Sequence, residues 1–359
     1  MGTAEPIPVS AFVEHALYAE GTGFYERGGR AGRRGDFVTS PEVGPLFGAV
    51  LARALDGWWD EQRRPDPFVI HEHGAGPGTL ARAVVQARPA CGPALRWVLV
   101  ERSATQRQLH PDHLPHVGAP GSGAWSATRA GPLVATTGAR PAGLVHVLLA
   151  NELLDNLPFD LAQRTRDGWD EICLVAVGDG TWAEVARPLD ADRSARLDRL
   201  APAAAVGARV PLQSAAGEWV AAGRAQLEAA GRLVVFDYTA TTAELADRPW
   251  AEWVRTYRGH ERGGTPWIHP GTQDVTVEVA LDQVGVVAGP PDRVATQAET
   301  LRRWGIDALV EEGREMWRAR TGPADLAALR ARSRVGEAEA LLETGGLGGF
   351  TVAEWRGGP

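Results

Sequence analysis

Four short apolar runs punctuate the chain: "PFVIHEHG" (67–74), "ALRWVLVE" (94–101), "GLVHVLLANE" (143–152) and "GRLVVFDY" (231–238). Each reads as a buried strand that closes on a glycine or on polar residues. The helical pattern "TLARAVVQAR" follows the first. Apolar strands alternating with helices predict a mostly parallel sheet covered on both faces.

Other stretches fill in around this rhythm. Phe12, Val13, Ala16 and Leu17 give an N-terminal helix one apolar face, and a glycine-rich loop follows it. A second helix is expected from Pro41, capped by Ser40, with Val43, Leu46, Phe47, Val50, Leu51 and Leu55 on its buried side. Residues 159–230 interrupt the alternation, with a hairpin expected around Gly178-Asp179-Gly180. Residues 239–274 read as a long structured loop or lid carrying Trp250, Trp253 and Trp267, which either line a pocket or anchor the loop. "VTVEVALDQV" has strand alternation, residues 294–344 are mostly helical, and "GFTVAEW" is a final strand. The expected division is 1–60, 61–158, an inserted region at 159–230, and 231–359.

Composition narrows the class. With 359 residues, 44% of them hydrophobic, the chain can bury a sizeable core. A net charge of −8 argues against a general nucleic-acid binder. Cys91 and Cys173 stand alone, with no CxxC, so neither a disulfide framework nor a thiolate zinc site is expected. No apolar run is long enough for a membrane span, and no targeting pattern opens the chain, so a cytoplasmic location is the expectation.

The stretch "VIHEHGAGPGTL" (69–80) offers two chemistries. On a strand, His71 and His73 share one face and Glu72 takes the other, so the three do not converge on one metal ion. No metal site is expected. The cofactor reading is stronger. Gly74, Gly76 and Gly78 leave a strand and open a helix, where backbone can approach a ligand and unpaired N–H groups face it. Glu101 closes the next strand, where a carboxylate can accept both hydroxyls of a ribose. The spacing is GxGxG, with Thr79 where dinucleotide dehydrogenases place a third glycine. Together with Glu72, it suits an S-adenosylmethionine loop, with Glu72 near the cofactor's amino-acid end.

"LLANELLDNLPFD" (148–160) closes another parallel strand, so Asn151, Glu152 and Asp155 fall on the same rim. Methyl transfer to nitrogen depends on positioning, and carboxylates can orient a guanidinium by paired hydrogen bonds.

These motifs, in order, resemble the MidA-type methyltransferases. "AEGTGFYERGG" and "RGDFVTSPEVGPLFG" resemble the family's N-terminal signature. "HEHGAGPGTLARAV" resembles its cofactor loop, and "LLANELLDNLPFD" its asparagine–glutamate–aspartate–proline motif. "FDYTATTAEL", "RTYRGHERGG", "HPGTQDVTVEV" and "GLGGFTVAEW" resemble the later blocks. The family includes a mitochondrial protein arginine methyltransferase that acts in respiratory complex I assembly. The resemblance implies a Rossmann-like class I methyltransferase core of α/β class, with an N-terminal helical segment and an inserted α+β substrate region. It implies S-adenosyl-L-methionine as cofactor, held by Asp36, Thr39, Ser40, Pro41, Glu42, Gly74, Gly76, Gly78 and Glu101. It further implies site roles for Asn151, Glu152 and Asp155, and acceptor-side roles for Tyr257, Arg258 and His260, with Pro270, Gly271 and Asp274. Tyr257 and His260 could assist proton removal. Two positions depart from the family pattern: Thr239 after Asp237-Tyr238, and Pro77 between the loop glycines.

The expected activity is methylation of an arginine on a protein partner. A small-molecule acceptor, or an assembly factor that binds the nucleoside without turnover, are the alternatives.

Overall fold

A computed structural model describes residues 5–29, 39–114, 132–258, 261–320 and 325–358. Seven strands form the main sheet, in the order Arg293–Thr296, Thr351–Arg356, Leu227–Asp237, Val145–Asn151, Phe68–His73, Leu95–Val100 and Leu133–Thr137. The last five run parallel; Thr351–Arg356 is antiparallel to both of its neighbours, Leu227–Asp237 and Arg293–Thr296. The apolar strands are buried on both faces, as their sequences require. Helices Pro45–Glu61 and Thr79–Ala87, with the C-terminal helices Ile306–Ala319 and Leu326–Leu342, cover one face through Phe47, Leu51, Leu80, Ile306 and Leu341. Ser214–Arg224 and Leu281–Ala288 cover the other through Val220, Val284 and Ala288. In register, His73 lies beside Val100 and Ala150, and Asn151 beside Phe236. The strand ends that carry the motifs are thereby gathered on one rim.

A second, antiparallel sheet joins Ile7–Pro8, Trp169–Gly178, Asp160–Arg164 and Arg209–Leu212, with Thr181–Pro188 also paired to Trp169–Gly178. The hairpin turns at Gly178, Asp179 and Gly180, all with positive φ. Helix Val9–Tyr18 packs on this sheet through Phe12, Val13 and Leu17. The sheet therefore carries the N-terminal helix to the rim of the main sheet. Helix Ser214–Arg224, in contrast, lies on the main sheet although it follows the second one in sequence.

Three local expectations change. The helix expected from Pro41 is two helices, Ser40–Val43 and Pro45–Glu61, split at extended Gly44. Thr39, not Ser40, precedes the first. The second starts where the Glu337 carboxylate packs on Gly44 and accepts the Leu46 N–H at 2.8 Å. Residues 239–274 are not a loop. They contain helices Thr242–Ala246 and Trp250–Trp253, and strand Val254–Arg258 pairs with Glu261–Arg262 and Asp274–Val277. Trp253 and Trp267 are buried in the second core, and Trp250 stacks on Trp267 at 6.1 Å. These tryptophans are anchors. "VTVEVALDQV" is strand only as far as Ala280, because Leu281, Val284 and Ala288 repeat at helical spacing against the sheet. Among the described residues, no helix is long and apolar enough to cross a membrane.

Candidate active site

The strand Phe68–His73 ends in a turn that only glycine makes without strain. Gly76 has φ +50°, and its N–H donates to Glu101 Oε2 at 2.8 Å. Gly78, at φ +83°, begins helix Thr79–Ala87. The other Glu101 oxygen accepts the Ser103 N–H at 2.8 Å. His110 pins the turn from outside, one ring nitrogen 2.8 Å from the Gly76 carbonyl and the other 2.8 Å from Thr136 Oγ1. Each carboxylate oxygen still has a free lone pair for a ribose hydroxyl.

Above the turn lies a cavity of about 390 Å³, within the range of small-ligand sites. It is lined by the expected Thr39, Pro41, Glu42, Glu72, Gly74 and Gly76, and by Glu101, Asn151 and Glu152. Pro77 also faces it. Glu72 is held by the Trp97 indole N–H at 2.8 Å, and burial pushes its carboxyl up to about 8. His71 and His73 do lie together on the opposite face of the strand, ring centres 6.2 Å apart. Burial, with Arg140 nearby, lowers both below the ordinary histidine range, so they are neutral. Among the described residues, no three histidine, cysteine or carboxylate side chains gather around a possible metal position.

At the far end of the cavity, Glu152 sits at φ +52°, a left-handed angle that costs a non-glycine residue about 1–3 kcal/mol. Its N–H donates to the Phe236 carbonyl at 2.8 Å, which fixes the turn. Its Oε1 accepts Asn151 Nδ2 at 2.9 Å and the Ser40 N–H at 3.4 Å. Burial first, then Asp155, raises this carboxyl to about 8. Asp155 lies just behind the cavity wall, with Oδ2 accepting the Tyr238 hydroxyl at 2.7 Å; burial raises it to about 6. Asp237 underpins the turn by accepting the N–H groups of Leu154, Asp155 and Tyr238 at 3.0, 3.3 and 3.0 Å. Two buried acceptor atoms, Asn151 Oδ1 and Asp155 Oδ1, have no hydrogen-bond partner among the described residues.

The remaining expected residues lie elsewhere. Ser40 is fully buried behind the wall, its hydroxyl donating to Gln297 Oε1 at 2.9 Å. Gly78 lies beneath the cavity against Leu114 and Leu99. Tyr257 sits on strand Val254–Arg258 opposite Asp274 and does not line the cavity; Arg258, next on that strand, is exposed. Asp36 and His260 fall outside the described residues. The block from Pro270 to Asp274 braces the N-terminal turn. Asp274 accepts the Tyr25 hydroxyl and Asn156 Nδ2, each at 3.2 Å, and a side chain at Gly271 would collide with the Thr22 carbonyl. Sequence reasoning missed Tyr18, Tyr25, Arg140 and Trp219, which all line the cavity. Tyr25 stands inside the quoted block "AEGTGFYERGG", which was the available signal; Tyr18, Arg140 and Trp219 lie outside every quoted motif.

A parallel sheet with a glycine turn, an acid at the next strand end and open acceptors beyond defines a Rossmann-like class I methyltransferase. A sequence profile of S-adenosyl-L-methionine-dependent methyltransferases matches residues 50–297, and the chain belongs to that family. A solved structure from Burkholderia thailandensis with S-adenosyl-homocysteine bound is 29% identical, with a TM-score of 0.78 over 98% of this chain and 88% of that one. The mitochondrial protein arginine methyltransferase NDUFAF7 homolog of Drosophila melanogaster is 30% identical over 195 residues, 49% of this chain and 43% of that protein. This chain therefore matches less than half the length of that relative. The Xenopus tropicalis protein arginine methyltransferase is 24% identical over 84% of this chain and 73% of its own length. The family's cofactor is S-adenosyl-L-methionine. The cavity fits it: there is open space above Gly76, Glu101 retains free lone pairs, and the cavity continues to Asn151 and Glu152.

Proposed function

We propose that this chain methylates a guanidino nitrogen of an arginine on a protein partner. The observation that carries the reading is the Glu152 carboxyl at the cavity wall beside Asn151, whose Oδ1 has no hydrogen-bond partner among the described residues. Buried acceptors left open are costly, and a guanidinium, with five N–H donors, satisfies several at once. The protein arginine methyltransferase relatives from Drosophila and Xenopus support the same choice.

Bound S-adenosyl-L-methionine supplies an electrophilic methyl group on its sulfonium. Glu101 and the Gly76 turn would hold its ribose end. Asn151 Oδ1 accepts an N–H of the incoming guanidinium and turns one nitrogen toward the cavity. That nitrogen must shed a proton as it gains a methyl group. Glu152, when ionised, is the group placed to take it. Tyr238 keeps Asp155 oriented behind Glu152.

The test is incubation of the purified protein with isotopically labelled S-adenosyl-L-methionine and extract from cells lacking the gene. Label in methylarginine of a protein supports the reading. Label only in small molecules favours a metabolite acceptor. Cofactor binding without any labelled acceptor favours an assembly factor without turnover.

A further inference from the structure

Helix Val9–Tyr18 ends at the cavity, and its last residue differs from its neighbours in one respect. Tyr18 and Tyr25 both line the cavity, their rings stacked with centroids 5.5 Å apart and planes 21° from parallel. The Tyr25 hydroxyl is engaged, donating toward Asn156 Oδ1 at 3.1 Å and Asp274 Oδ1 at 3.2 Å. The Tyr18 hydroxyl has no hydrogen-bond partner among the described residues.

The Tyr18 ring is nevertheless fixed. The Arg102 guanidinium lies 4.5 Å from its centroid, and Arg102 is in turn tied to Glu14, one helical turn back. A side chain locked at its ring with a free polar tip has been positioned for a ligand, not for packing. Burial first, then Glu101 and Asp274, raise the phenol against the opposing Arg102 charge, so it stays protonated. Tyr18 lines the cavity between Arg102, the residue after Glu101 at the ribose end, and Tyr25, whose hydroxyl reaches Asn156 beyond Asp155.

We propose that Tyr18 is an acceptor-contacting residue, its phenol oxygen receiving a hydrogen bond from the nitrogen side chain that is methylated. This rests on the methyltransferase reading above. The contact adds a second neutral acceptor, alongside Asn151 Oδ1, and narrows the orientations available to the substrate nitrogen.

Tyr18→Phe keeps the stacked ring and removes the oxygen. Two measurements on wild type and variant decide the matter: calorimetric affinity for S-adenosyl-homocysteine, and methyl incorporation into arginine-containing and lysine-containing peptide libraries and cell extract. The expected result is affinity within about twofold and incorporation reduced about tenfold, the size of one lost hydrogen bond to a charged group. Unchanged incorporation overturns the proposal. So does an affinity loss large enough to account for the whole effect, since that assigns Tyr18 to the cofactor. If wild type labels an acceptor other than arginine, the arginine reading falls, while the same variant still tests Tyr18 on that acceptor. If wild type labels nothing, both fall.

Discussion

The two ends of the cavity are built on opposite plans. At the ribose end, both Glu101 oxygens already receive backbone N–H groups, and the Gly76 carbonyl is held by His110. At the acceptor end, Glu152 is held at a left-handed angle, and Asn151 and Asp155 each keep a buried oxygen open. The first end is complete before anything binds; the second is finished only by a substrate. The geometry of the cofactor end should therefore survive single-atom changes at the acceptor end, while the acceptor end should respond sharply to them.

The strongest test of this contrast is Glu152→Gln. Turnover should fall by about 10²–10⁴-fold, the usual contribution of a general base, while calorimetry shows S-adenosyl-homocysteine bound as in wild type. Loss of cofactor binding in this variant would mean that the two ends are not separable. Next is Glu101→Ala, which removes the ribose acceptor and frees the Gly76 turn. Cofactor affinity should weaken about 10–100-fold, as expected for lost hydrogen bonds to a charged group. At saturating cofactor, kcat should be nearly restored.

The pH response comes third. Glu152 must be ionised to accept a proton, and its carboxyl is raised to about 8. Turnover should drop about tenfold per pH unit below that value, and cofactor affinity, read separately by calorimetry, should report the ionisation of Glu72, also raised to about 8. Stability should move the opposite way. The folded state binds the Glu152 proton more tightly than the unfolded chain does, so its contribution is present below the ordinary value of 4.5 and is lost as pH rises through about 8. Glu152→Gln should then raise the melting temperature at pH 9 and change it little at pH 5. Equal shifts at both pH values would remove burial as the cause. The smallest effect is expected from Gln297→Leu, which removes the Ser40 hydroxyl's acceptor at 2.9 Å from behind the wall. A loss of about 1 kcal/mol in denaturant unfolding is expected, with a few-fold fall in kcat.

The cofactor end was legible because its parts are local. Strand, glycine turn, helix and the next strand's acid follow one another within "HEHGAGPGTL" to "VLVE", and parallel strands place their ends together. Asn151 and Glu152 were legible for the same reason. Tyr18 was not, because a separate antiparallel sheet carries it to the rim, and no periodicity in its own segment states where that sheet sits. Trp219 and Arg140 reach the cavity together, the guanidinium 4.9 Å from the indole, from two segments about 80 residues apart that only the main sheet brings together. Tyr257 illustrates the converse. It belongs to a motif-rich block, but pairing with Asp274–Val277 places its strand behind the residues that brace Tyr25. The split at Gly44 was legible in the Gly44-Pro45 pair, since proline lacks an N–H and keeps the residue before it out of the helical region; only its partner, the Glu337 carboxylate, was not.

The strand Thr351–Arg356 is threaded between Leu227–Asp237 and Arg293–Thr296 and does not lie at a margin of the sheet. During synthesis, one flank of Leu227–Asp237 must wait, unpaired, for more than a hundred further residues to leave the ribosome. An open apolar strand of that kind recruits other chains. Yield of native protein should accordingly depend on chaperone capacity more than on the intrinsic strength of the finished fold.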